Sequence, residues 1–223
     1  MTKCAKVNSW FSKQVFNWSL FDFANSTFAT IIVAFVYAIY FKKVVAGNEP
    51  VADLYWSAAI NISMILVAFL SPVLGAASDY YSSKKKYLMF FTFLSITATG
   101  MLYFVTEGKI MLGIILFIFA NIGFQAGLGF YDAFIKEISE PRNYNKVSSL
   151  GYAVGYLGSL ASLAAVIILQ DSPRLTFLAC AIMFLIFSLP MFFFVKEKKK
   201  VVTDSVRPNF LTIGLRRTAE TLR

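Results

Sequence analysis

The stretch "NWSLFDFANSTFATIIVAFVYAIYF", residues 17 to 41, is an apolar run with Asp22 and Asn25 set three positions apart near its front. About 20 mostly apolar residues are enough to cross roughly 30 Å of hydrocarbon as a helix. No period-2 alternation runs through it, so it reads as a membrane helix rather than a barrel strand. A carboxylate at the centre of such a helix costs about 2.5 to 3.5 kcal/mol on insertion scales. Asp22 therefore needs a reason, and the rest of the chain has to supply it.

Five further runs of this kind follow, at roughly 54–77, 87–106, 109–135, 147–169 and 174–195. The 223-residue chain is 58% hydrophobic and 15% charged, with 24 Phe. A water-soluble fold of that composition would expose more apolar surface than soluble monomers tolerate. The reading is an all-α membrane protein: an N-terminal segment 1–16, a six-helix transmembrane bundle 17–195, and a basic tail 196–223. The first run is too long for a signal-peptide core and no small-x-small cleavage site follows it, so it is expected to stay as the first helix.

Charge sets the orientation. With six spans both termini share a side, and seventeen Lys and Arg fall on that side against four on the other. The positive-inside rule then makes the termini cytoplasmic, most simply in a cell (inner) membrane. The net charge of +9 is explained as topology. No basic stripe interleaves with aromatics outside the spans, so no nucleic-acid partner is expected.

Whole chemistries are excluded by residue usage. There is no His, which removes Ser–His catalysis and His-ligated metal or haem. Cys4 and Cys180 are not placed to pair, and no nucleotide-binding glycine motif opens a helix after a strand. No enzyme, no cofactor and no metal site is expected; the carboxylates Asp22 and Asp132 alone keep an intramembrane enzyme in view.

Three stretches stand out beyond hydropathy. "SPVLGAASDYYSSKKKYL", residues 71 to 88, places Gly75 and Asp79 on one face at the end of the second helix, followed by Lys84, Lys85 and Lys86. "YDAFIKEISEPRNYNKVSSLGYAVGYLGS", residues 131 to 159, places Gly151, Gly155 and Gly158 along one face of the fifth, so a neighbouring backbone can come close. Third, "FDFANSTF" at 21 to 28 recurs as "FIFANIGF" at 117 to 124.

The G-x-x-x-D loop with its lysine cluster resembles the signature loop of the major facilitator superfamily. Tyr80 stands where that pattern has Arg, and Ser82 where it has Gly. With "FDFANSTFAT" and the glycine-rich fifth helix, the chain is similar to the vacuolar-effluxer (unknown-major-facilitator) branch over most of residues 17 to 223. The resemblance implies a half of a major-facilitator fold, built as three-plus-three inverted repeats. It also implies a secondary transporter, amino-acid export being associated with eukaryotic members, and a cytoplasmic gate at Gly75, Asp79, Lys84 and Lys85. The repeat supports the same architecture: its 96-residue offset is three spans, an odd number that inverts the second copy.

Asp22, Asn25, Ser26 and Ala29 fall at i, i+3, i+4 and i+7, one stripe of a helix. Asn121, Gln125, Gly129 and Asp132 form a narrow arc on the fourth. Intramembrane polar residues face a bundle interior or a watery cavity. Asp22, Asn25, Ser26, Asn121, Gln125 and Asp132 are thus the candidate substrate-cavity residues, with either Asp a carrier for a coupling proton. A purely structural hydrogen-bond cluster, with Lys136 as counter-ion, is the alternative.

The expected function is that of the N-terminal half of a transporter moving a small solute through the lipid bilayer by alternating access. The C-terminal six-helix half is expected to be absent from this chain, and the stretch after Pro208 reads as an amphipathic linker cut at its end. The alternative is a six-span, non-transporting subunit or scaffold that assembles with a partner.

Overall fold

The computed structural model describes residues 11–198, and the proposed linker helix after Pro208 lies outside them. Among the described residues there is no strand. Six helices are long and apolar enough to cross a membrane: α1 Lys13–Val45, α2 Ala52–Tyr80, α3 Lys84–Phe104, α4 Ile110–Ile138, α5 Pro141–Ile168 and α6 Pro173–Phe194. Each covers its expected run to within a few residues. Helix α1 starts earlier than hydropathy alone implies because the Ser12 hydroxyl accepts from the Val15 N–H at 3.2 Å, an N-cap that satisfies one orphan donor of the first turn. Pro173 opens α6 at a position where no N–H is needed.

Helix α1 is not regular. Its α-helical first part ends at Phe28. A π-helical stretch, Ala29–Ala34, follows, then a break at Phe35 (φ −125°, ψ −75°), a short α-helical piece, and a second π-helical stretch, Phe41–Val45. Widened turns of this kind recur at functional positions in other helices. Here the first begins one turn beyond Asn25.

The packing has a two-fold logic. Helix α1 packs mainly on α5 and α6, α4 mainly on α2 and α3, and α3 also packs on α6. Exchanging α1 with α4, α2 with α5 and α3 with α6 leaves that set of neighbours unchanged, which is the three-plus-three arrangement of a major-facilitator half. The repeated octapeptides occupy matching places. Phe21 and Phe117 are buried, as are Ala24 and Ala120 and Asn25 and Asn121. Phe28 and Phe124, equivalent in the repeat, meet with ring centroids 4.8 Å apart.

Small residues set the closest approaches. A Cβ on Gly155 would stand 2.6 Å from the Ser26 Oγ, and one on Gly151 3.0 Å from the Asp22 Oδ2. One on Gly123 of α4 would stand 2.7 Å from the Ser95 backbone N of α3. Without a solvent-driven hydrophobic force between helices in lipid, close packing at small residues of this kind helps to hold the bundle.

The two ends differ. At the end away from the 81–86 turn, Tyr37, Trp56, Phe117 and Phe177 form an aromatic plug. The Tyr37 hydroxyl donates to the Gly113 carbonyl and the Tyr40 hydroxyl to the Val105 carbonyl, both at 2.9 Å. The end carrying Lys84, Lys85 and Lys86 is called the basic end here; the other end has its own ion pair, Lys42–Asp53, and Arg174 over the Tyr103 ring.

Candidate solute recess and charged cluster at the basic end

Helix α1 leaves the basic end and α4 returns to it, so Asp22 and Asp132 both lie in the half of the bundle nearer that end. They line one recess of about 180 Å³. From α1 come Trp18, Asp22, Asn25, Ser26 and Ala29, the stripe expected from its helical period with one more turn at Trp18. From α4 come Phe124, Leu128, Tyr131 and Asp132, and from α5 Ser148 and Tyr152. The volume falls below the roughly 300 Å³ at which ligand pockets begin.

An aromatic floor fixes the geometry. Trp18 and Tyr131 stack with centroids 4.4 Å apart and planes 3° from parallel. The Trp18 indole N–H donates to the Tyr131 carbonyl at 3.1 Å. Phe21 packs on the other side of Tyr131 at 5.0 Å. Two polar atoms at the recess are left over: the Asn25 Nδ2 and the Tyr131 hydroxyl are buried with no hydrogen-bond partner among the described residues. Buried polar groups are normally satisfied, so both have unused capacity at this place.

The arc expected on α4 is placed differently. Asn121 is buried on the α2 side, where its Nδ2 donates to the Ser63 hydroxyl at 2.6 Å. It is a helix-pairing residue here, and neither it nor Gln125 lines the recess. The recess-facing row is 124, 128, 131 and 132. It is turned from the expected row by roughly one residue's 100°, because α4 must present Asn121 to α2 while its last turns reach α1. Only Asp132 belongs to both rows.

At the basic end, Lys84 sits between two carboxylates, 3.2 Å from Asp79 and 3.0 Å from Glu137. The side chains of Lys84 and Glu137 are 11% and 9% exposed against 43% for Asp79, so the Lys84–Glu137 pair is the buried one. The Glu197 carboxylate, just past α6, accepts from the backbone N–H groups of Lys84 at 2.8 Å and Lys85 at 3.2 Å. It caps α3 from a distant part of the chain, the favourable sign at a helix N-terminus. The Lys85 ammonium in turn donates to the Val195 carbonyl at 2.7 Å. Gly75, Asp79 and Lys84 also border a second recess of about 150 Å³ between α2 and α4.

Sequence reasoning missed Trp18, Tyr131 and Tyr152 in the recess and Glu137 and Glu197 in the charged cluster. Trp18 lies one turn before Asp22 and continues its stripe. Glu197 is a lone acid inside the basic run "VKEKKK", itself a cue. Nothing in the sequence marks Glu137. Among the described residues no cluster of His, Cys, Asp and Glu could hold a metal ion.

Comparison with known proteins gives a family. Residues 54–223 match the family described as vacuole effluxer Atg22 like. A curated relative, an uncharacterized MFS-type transporter YxiO of Bacillus subtilis (strain 168), is 28% identical over 219 aligned residues. The alignment covers 88% of this chain and 51% of the relative, so the chain spans about half the length of the curated relative it matches. No solved structure matches the chain.

Proposed function

The chain belongs to the vacuole effluxer Atg22-like family of major-facilitator-type transporters, and on that premise we propose that it forms one six-helix half of a secondary transporter. The protein is a multi-pass integral membrane protein. Its termini are cytoplasmic in the proposed orientation, in a cell membrane, which puts the recess on the cytoplasmic side of the aromatic plug. A small solute binds in the recess against Asp22, Asn25, Ser26 and Asp132, and a second six-helix half supplies the facing wall. Rocking of one half on the other exposes the site alternately to each side. The Asp79–Lys84–Glu137 cluster acts as the cytoplasmic gate with Gly75 and Lys85. Amino acids are the solute class that the family resemblance implies.

The observation that carries this reading is the recess itself. Two carboxylates and two unpartnered polar side chains, Asn25 and Tyr131, converge between three helices of an otherwise apolar bundle. What sets this place apart is that the unused capacity of Asn25 and Tyr131 coincides with two carboxylates and an open recess. Either Asp can also exchange a proton with the recess, which makes the pair the candidate for coupling.

The test is flux through proteoliposomes carrying the full-length protein. Asp22→Asn and Asp132→Asn are each expected to cut the rate at least tenfold while insertion and yield stay parental. The residual rate is expected to lose its dependence on pH. Parental rates with a parental pH profile in both variants would remove the recess from the transport path.

A further inference from the structure

We infer that the recess selects solutes of net positive charge, amines carrying an oxygen acceptor, over zwitterions and anions. This rests on the reading of the recess as the solute site and adds the sign of its ligand's charge. The charged side chains that line it, Asp22 and Asp132, have the same sign, and no Lys or Arg lines it among the described residues. Lys84 and Lys85 are engaged at the basic end with Glu137, Asp79 and the Val195 carbonyl. A solute carboxylate entering this recess meets two carboxyl groups and no cation from this half, and the low local dielectric magnifies the penalty of each one that is ionised. An ammonium meets two acceptors.

The aromatic lining acts in the same direction. Tyr152 borders the recess with its side chain largely exposed, and a phenol face attracts ammonium groups through its quadrupole. The second observation is independent of charge. The Asn25 Nδ2, on a side chain 4% exposed, is a donor without an acceptor, and the Tyr131 hydroxyl, on a side chain 2% exposed, is unpaired too. Neither ammonium nor a metal ion can accept from the Asn25 amide. An oxygen on the same solute can, and leaving such a donor empty is costly. The ligand therefore has a cationic end for the Asp pair and an oxygen for Asn25, with at least one positive charge in excess.

The experiment is ligand-induced thermal stabilisation of the purified full-length protein by millimolar lysine, 1,5-diaminopentane, leucine, glutamate or sodium chloride. Lysine is expected to stabilise saturably at concentrations at least tenfold lower than leucine, with no effect from glutamate or sodium. Diaminopentane, which keeps the charge but lacks the oxygen, is expected to act more weakly than lysine. Asn25→Ala should weaken lysine several-fold and leave diaminopentane unchanged. Leucine or glutamate matching lysine, with sensitivity to Asp22→Asn retained, would overturn the charge selectivity and leave the recess as solute site. Lysine binding untouched by combined Asp22→Asn and Asp132→Asn would overturn both. Sodium stabilising as well as lysine, or no response to lysine or diaminopentane, would also overturn the selectivity.

Discussion

A Cβ added at Gly158 would stand 2.9 Å from the Phe23 Cα. Backbone cannot rotate aside as a flexible side chain can, so α1 and α5 would have to separate. Gly75 is the opposite case, with nothing within 4 Å of an added Cβ. Overpacking a tight contact typically costs about 1 to 3 kcal/mol, while Gly to Ala inside a helix gains up to about 1. Gly158→Ala is accordingly expected to lower the denaturation midpoint in detergent, and Gly75→Ala to hold or raise it. Equal midpoints for Gly158→Ala and the parent would mean that the two backbones are not this close. Ser82 makes a related point at the 81–83 turn. Its φ of +45° lies in the left-handed region that glycine occupies without a Cβ penalty, a physical reason for glycine at that place in the superfamily pattern.

Among elements, the connection of α2, α3, α4 and the end of α6 decides what the basic end can do. Lys84 is shared by a buried partner, Glu137, and a half-exposed one, Asp79. Removing one member of a buried pair leaves an uncompensated charge and costs about 3 to 5 kcal/mol, against roughly 0 to 1 for an exposed pair. Glu137→Gln is therefore expected to destabilise the protein strongly. Asp79→Asn is expected to fold and insert normally yet transport slowly, since its carboxylate is the more exposed of the two partners of Lys84. Stability measured by urea titration, paired with flux, separates the two; similar stability losses in both variants would argue against this division. The six spans were legible because hydropathy over twenty residues needs no knowledge of neighbours, and the α1 stripe because Asp22, Asn25 and Ser26 share a face wherever the helix goes. The α4 row was not, since its rotation depends on Asn121 reaching Ser63, 58 positions away. The partners of Lys84 were equally hidden: Glu137 is 53 positions off and Glu197 is 113. The widened turns after Phe28 leave no composition signal at all.

At the scale of the molecule, the internal two-fold closes the six helices on one another but leaves α2 and α5, exchanged by that symmetry, as the two least buried. Leu160 and Ile167 on α5 are 63% and 67% exposed, and Leu54 and Phe69 on α2 are 67% and 72%. Lipid satisfies apolar side chains on such faces. It does not satisfy Asp22 and Asp132 at the recess, which would require a water defect, snorkelling or a partner at about 1 to 3 kcal/mol apiece. Residues 1–223 produced alone are therefore expected to insert as a bundle, to associate through the recess face, and to carry no solute. Light scattering in detergent gives the mass, and counterflow in liposomes gives the activity. The expected result is a self-associated or partner-bound species without flux, with flux returning when a complementary six-helix half is co-produced. A stable monomer with saturable counterflow would show that six helices suffice, and the recess would then be a complete site rather than one wall of one.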